Sequence, residues 1–289
     1  MTIFEAIIQG IIQGLTEFLP ISSSGHLSVY QHLTGNSGET GFLMLAVLHL
    51  GTLVAVFIAF WDTIWALIKE FFVMLKDIFT WKFKWKEMNG ERRMIIMLII
   101  SLSMLIPFYI FKDFFVRISK DNDIIVEGVC FLYTSLILFL SDRCVKGKRE
   151  PKDITLRNAV TVGIFQGVAL MPGISRSGST ICGGLFSGFT RETAVSFSFI
   201  LGIPAILGGC LLEVKDAFEA GQTEIKVLPF LIGFIVSAVV GIFAIKLVKW
   251  LIKTDKFKVF AFYTFVLGIV VISIGIIEKV AGKGIMEIV

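Results

Sequence analysis

The sequence predicts an all-α integral membrane protein with six transmembrane helices and two re-entrant helical hairpins in an inverted-topology repeat. Three observations predict it. Of 289 residues, 55% are hydrophobic and only 17% charged, where a soluble chain carries about 25% charge. Six apolar runs, at 42–61, 94–111, 124–141, 193–213, 228–248 and 259–277, are long enough to cross a hydrocarbon core as helices of about 20 residues. A polar, glycine-containing pattern near the N-terminus also recurs past the middle of the chain.

Residues 2–19 read as a helix that is apolar on most sides, with Gly10 and Gly14 spaced for close approach of another backbone. The stretch has no basic leader and no small-residue cleavage site, so it is expected to stay in the mature protein. Gln13 and Glu17 are four apart and share one face. Pro20 ends the helix, Ser22, Ser23 and Ser24 offer capping oxygens, and a second short helix is expected from about Ser24 to Leu33. Neither helix is long enough to span with its polar end buried, so a re-entrant hairpin is predicted here.

After the first span, residues 62–93 interleave Trp65, Trp81 and Trp85 with Lys69, Lys76, Lys82, Lys84 and Lys86. Next to a membrane span this pattern predicts an interfacial amphipathic helix on membrane lipids rather than a nucleic-acid surface. Two further spans lead to a charged linker at 142–153, which divides a single membrane domain, 1–289, into halves 1–141 and 154–289. The opening pattern then returns: eight of 17 positions are identical between 10–26 and 163–179, an offset of 153 residues. Three spans per half is an odd number, so the second half enters the membrane inverted. The two hairpins would then meet near the midplane.

Lysine and arginine alternate between the loops. Counted between the spans, alternate connections carry 18 and 7 of them. The richer side should be cytoplasmic, which puts both termini outside. Arg176 belongs to neither set, since it lies within an uncharged stretch. Cys130, Cys144, Cys182 and Cys210 have no paired or metal-ligand spacing and read as small packing residues.

An ionisable residue inside a membrane is costly and marks function by default. In the second cluster, 171–180, Pro172 and Gly173 break a helix, and Ser175, Arg176, Ser177 and Thr180 begin another. A helix start with hydroxyls, glycines and a guanidinium is suited to phosphate oxygens. Arg176 could instead pair with Glu17 and lock the hairpins together, and both roles are compatible. The first cluster supplies a carboxylate, Glu17, able to act as base or cation ligand. It also supplies His26 as nucleophile, acid or base, and Ser22 or Ser23 as nucleophile or phosphate donor. His49, within the first span without polar neighbours, and His32, near the membrane edge, read as structural. Buried in lipid, these groups call for a substrate with a phosphate head and a hydrocarbon tail.

The motifs at 13–26 and 172–180 resemble the two signatures of the bacterial undecaprenyl-diphosphate phosphatase family associated with bacitracin resistance. The resemblance covers nearly the whole chain. It implies hydrolysis of undecaprenyl diphosphate to undecaprenyl phosphate, the lipid carrier of cell-wall synthesis, in the bacterial plasma membrane. It also implies a divalent cation, Mg²⁺ or Ca²⁺, with Glu17 as the essential acidic residue and metal ligand. Ser23 or His26 is then the nucleophile, while Ser175, Arg176 and Thr180 hold the diphosphate, with Ser177, Ser22 and Gln13 beside them. The family's acidic motif often has two glutamates four apart, and here the earlier one is Gln13, which brings no charge and cannot be a base. A transporter or lipid flippase would also suit an inverted repeat, and a scaffold would leave both polar clusters unexplained. Glu17 and His26 in one half and Arg176 in the other favour one composite site. The sequence leaves a homodimer open.

Overall fold

The computed structural model describes residues 2–34, 41–111, 124–221, 227–253, 256–282 and 284. Helix α1, Ile3–Thr16, starts on a capping box between Thr2 and Glu5, and α2, Ser23–Leu33, starts on Ser22, whose Oγ accepts from Gly25 N at 3.2 Å. Two residues of the first polar motif cap helices, Glu17 at the end of α1 and Ser22 at the start of α2. Among the described residues, six helices have membrane-crossing length and composition: α3 (Phe42–Ala59), α5 (Gly90–Ser103) continued by α6 (Leu105–Ile110), α7 (Ile125–Asp142), α10 (Arg191–Glu219), α11 (Val227–Lys253) and α12 (Lys258–Ala281). They match the six predicted runs, with the later ones extended at their ends. Their outward faces carry bare apolar side chains such as Ile58, Phe243 and Phe262, an arrangement that is costly in water and costless in hydrocarbon.

Helix α4, Trp61–Phe79, occupies the predicted amphipathic connection, with Trp61, Trp65, Phe72 and Phe79 exposed. Arg92 ties it to the start of α5, with Nε 2.6 Å from Glu70 Oε1 and Nη2 2.8 Å from Asp77 Oδ2. The connection at 112–123, which holds three of the basic residues counted above, lies outside the described residues.

Two further helices, α8 (Leu156–Val168) and α9 (Arg176–Phe186), occupy the stretch where the pattern recurs. Small residues decide where α1 and α8 pack. A Cβ on Gly14 would lie 2.6 Å from Ser237 O of α11, and a Cβ on Gly163 would lie 2.6 Å from Ser101 O of α5. Ser101 Oγ also donates to Ala159 O at 2.8 Å. Each short helix thus lies backbone to backbone against a span distant in sequence.

The linker at 142–153 is packed rather than loose. Arg149 N donates to Gly188 O and Thr190 N donates to Arg149 O, both at 3.0 Å, so the linker is pinned to the turn between α9 and α10.

Candidate active site

The site forms where the two helix breaks meet. At the first, Glu17 closes α1 as its C-cap, the chain turns through Pro20, and Ser22 takes up φ 75° before α2 begins. A serine in the left-handed region is strained, and such strain is held only where surrounding contacts impose it. At the second, Gly173 has φ 92°, and a Cβ there would lie 2.9 Å from Cys130 Cβ. Ser175 then caps α9, its Oγ accepting from Gly178 N at 3.0 Å. The breaks bond to each other directly: Gly173 N donates to Ser24 Oγ at 3.2 Å and Ser177 Oγ donates to Leu19 O at 3.3 Å.

Glu17 is the hub. Gln13 Nε2 donates to its Oε2 at 2.9 Å and Ser23 Oγ donates to the same oxygen at 2.7 Å. Arg176 Nη2 bonds Oε1 from the other break. The guanidinium reaches this position because α10 carries Gly202 beside it, where any side chain would occupy the space of Nη1. Burying the carboxylate with three donors offsets the desolvation that an isolated charge would suffer.

A cavity of about 640 Å³ opens on this cluster. Its polar end is formed by Glu17, Ser22, Ser23, Ser24, Ser175, Arg176 and Ser177, and its apolar wall by residues of α5, α6 and α10 such as Leu102, Leu105, Ile206 and Leu212. Gln166, the counterpart of Gln13 at the 153-residue offset, lines the cavity, and neither of its buried amide atoms has a hydrogen-bond partner among the described residues. One end of the cavity is therefore dressed for an anion and the rest for hydrocarbon.

Several residues of the sequence expectation stand elsewhere. His26 is outside the cavity lining: Nδ1 donates to Ser22 O at 2.7 Å, which leaves Nε2 of the neutral ring to accept from the Tyr263 hydroxyl at 2.8 Å. Both ring nitrogens are thus hydrogen-bonded in this arrangement. Thr180 donates from Oγ1 to Arg176 O at 2.9 Å and lies 2.6 Å from Ser198 Oγ, joining α9 to α10 away from the cavity. Gln13 touches Glu17 without lining the cavity.

His49, expected from its apolar sequence neighbours to be structural, faces the cavity. It lies on α3, with Nε2 3.9 Å from Glu17 Oε2 and Nδ1 3.1 Å from Glu213 Oε1 of α10. Its signal in the sequence was its titratable ring within an apolar span, which is rare without a partner. Cys210 also has polar company: its Sγ lies with His49 and Glu213 in one group.

The donor set near Glu17 suits a hard cation. Gln13 Oε1 is buried without a hydrogen-bond partner among the described residues, beside a carboxylate and serine hydroxyls, and oxygen donors of this kind are those Mg²⁺ and Ca²⁺ select.

Fold and cavity together define a multi-pass membrane protein with a buried cavity that is polar at one end and apolar along the rest. The family model described as bacitracin resistance protein BacA matches residues 6–270, and the chain belongs to that family. It is 44% identical to an undecaprenyl-diphosphatase of Alkaliphilus metalliredigens (strain QYMF), covering 94% of this chain and 98% of the relative. It is 40% identical to one of Halothermothrix orenii, again over 94% and 98%. A third, from Carboxydothermus hydrogenoformans, is 38% identical over 98% of this chain and 100% of its own length.

Proposed function

We propose that this protein hydrolyses undecaprenyl diphosphate to undecaprenyl phosphate and inorganic phosphate, which returns the lipid carrier of cell-wall synthesis to use. The observation that carries the proposal is the 2.7 Å bond from Ser23 Oγ to Glu17 Oε2 at the polar end of an otherwise apolar cavity. A hydroxyl aimed at a carboxylate is a nucleophile with its base. The diphosphatase relatives, 38–44% identical over nearly the whole chain, support the same substrate.

The terminal phosphate lies at the start of α9, facing Arg176 and the hydroxyls of Ser175 and Ser177. Arg176 has one nitrogen on Glu17 and keeps the rest of its fork for phosphate oxygens. The leucines of α5 and α10 take the isoprenoid chain. Ser23 Oγ attacks the terminal phosphorus as its proton passes to Glu17. The bond from that phosphorus to the bridging oxygen breaks, and undecaprenyl phosphate leaves. Water then attacks the phosphoserine, Glu17 returns its proton to Ser23 Oγ, and the remaining proton of the water goes to solvent. A divalent cation, Mg²⁺ or Ca²⁺, fits the oxygens of Gln13 and Glu17 and, when bound, supplies positive charge against the diphosphate. His26 holds the serine turn through Ser22 O and is a positioning residue.

In the bacterial plasma membrane, the helix breaks would enter from opposite faces as halves 1–141 and 154–289 of an inverted repeat. Both termini would lie outside, as the 18 to 7 distribution of basic residues supports.

Purified protein with Mg²⁺ should release phosphate from undecaprenyl diphosphate. Ser23→Ala should lower kcat by roughly a thousandfold, and His26→Gln by much less. Absence of release from the unaltered protein would sink the proposal, and an inactive His26→Gln beside an active Ser23→Ala would move the nucleophile to His26.

A further inference from the structure

A second ligand set lies next to Glu17 and has no part in the hydrolysis above. His49 Nδ1 or Nε2, Cys210 Sγ and a Glu213 carboxylate oxygen lie within 4.8 Å of one another. Cys210 and Glu213 are three apart on α10 and so share a face, while His49 comes across from α3. We propose that these three residues bind a borderline-soft divalent ion of the zinc class, and that its binding inhibits the enzyme through His49. A thiol, an imidazole and one carboxylate are the donors that zinc selects and that Mg²⁺ and Ca²⁺ avoid. Three protein ligands leave one position of a tetrahedral ion for water. His49 lines the cavity, so an ion there reaches the set without passing through the core.

The link to Glu17 is the His49 ring. Its Nδ1 faces Glu213 at 3.1 Å, and its Nε2 faces Glu17 Oε2 at 3.9 Å. When an ion takes Nδ1, the ring keeps its one proton on Nε2, where it points at Glu17; the Cys210 thiol loses its proton to solvent. Glu17 and His49 line the same polar end of the cavity, so an ion and its water held on the His49 ring take up space beside Glu17 that the diphosphate needs. The inhibition rests on the reading of this cavity as the substrate site, whereas the binding itself does not.

The test uses the purified full chain in detergent. Co²⁺ should bind with a thiolate-to-cobalt charge-transfer absorption, retained in Cys144→Ser and lost in Cys210→Ala. Zn²⁺ should inhibit phosphate release in the presence of saturating Mg²⁺. Its half-inhibiting concentration should rise at least about tenfold in Cys210→Ala, with Mg²⁺-supported turnover unchanged. Glu213→Gln keeps the side-chain shape and should weaken Co²⁺ binding similarly, which covers the case in which Cys210→Ala does not fold. A cobalt band that survives in Cys210→Ala, or affinity unaltered in Glu213→Gln, would overturn the site. Normal Co²⁺ binding with no inhibition by Zn²⁺ would overturn the coupling to Glu17 and leave the hydrolase assignment standing.

Discussion

Gly202 offers a way to move Arg176 without touching it. Gly202→Ala would put a Cβ where Nη1 now lies and 3.1 Å from Cζ, so the guanidinium must retreat by roughly 1 Å to restore van der Waals contact. The atom in the way is the far end of a flexible side chain, and alanine is a better helix former than glycine by about 1 kcal/mol. Global stability should therefore hold or rise. Catalysis should not, because a misplacement of about 1 Å costs on the order of a hundredfold in rate, or about 2.7 kcal/mol. The assay is phosphate release from undecaprenyl diphosphate with Mg²⁺, run beside thermal unfolding in the same detergent. A double-mutant cycle with Arg176→Ala isolates the cause: once the guanidinium is gone, Gly202→Ala should add almost nothing. A kcat/KM within about threefold of the parent for Gly202→Ala, or equal losses with and without Arg176, would refute the placement of Arg176 in the site.

Arg176→Lys should lose at least about a hundredfold in kcat/KM, because a point charge cannot hold Glu17 and phosphate at once; near-parental activity would remove the fork from the mechanism. Gln13→Glu replaces the donor 2.9 Å from Glu17 Oε2 with a second carboxylate. Its activity should fall without added cation, and the half-saturating Mg²⁺ concentration should drop about tenfold; an unchanged cation titration would exclude Gln13 from the cation's surroundings. Tyr263→Phe removes the partner of His26 Nε2 and should cost about 1 kcal/mol of stability with kcat changed less than about threefold; a large fall in kcat would restore a chemical role to His26.

The spans were legible because hydropathy over about 20 residues is a one-dimensional property. The meeting of the two polar clusters was legible for a different reason, their repetition at a fixed offset with glycine, serine and proline in register. What a short helix turns toward its neighbours is not written in this way. Thr180 shares a face of α9 with Arg176, yet its hydroxyl is bound to Arg176 O and Ser198, and only the packing of α10 decides that. His26 looked chemical because it ends a serine-rich motif; its partner Tyr263 is 237 residues away and no local pattern announces it. His49 reads as structural because its neighbours in sequence are apolar, while its neighbours in space, Glu17 and Glu213, come from two other elements.

The bond between the two breaks also sets a schedule for synthesis. Glu17 waits 159 residues for Arg176, and the groove that seats the guanidinium comes later still, with Gly202. A chain still leaving the ribosome therefore exposes an uncompensated carboxylate beside a nucleophile that has nothing to hold a phosphate against it. Because α1 packs on α11, activity should arrive abruptly only after the fifth span has inserted, and nascent chains stopped before that point should be inert toward the lipid that surrounds them.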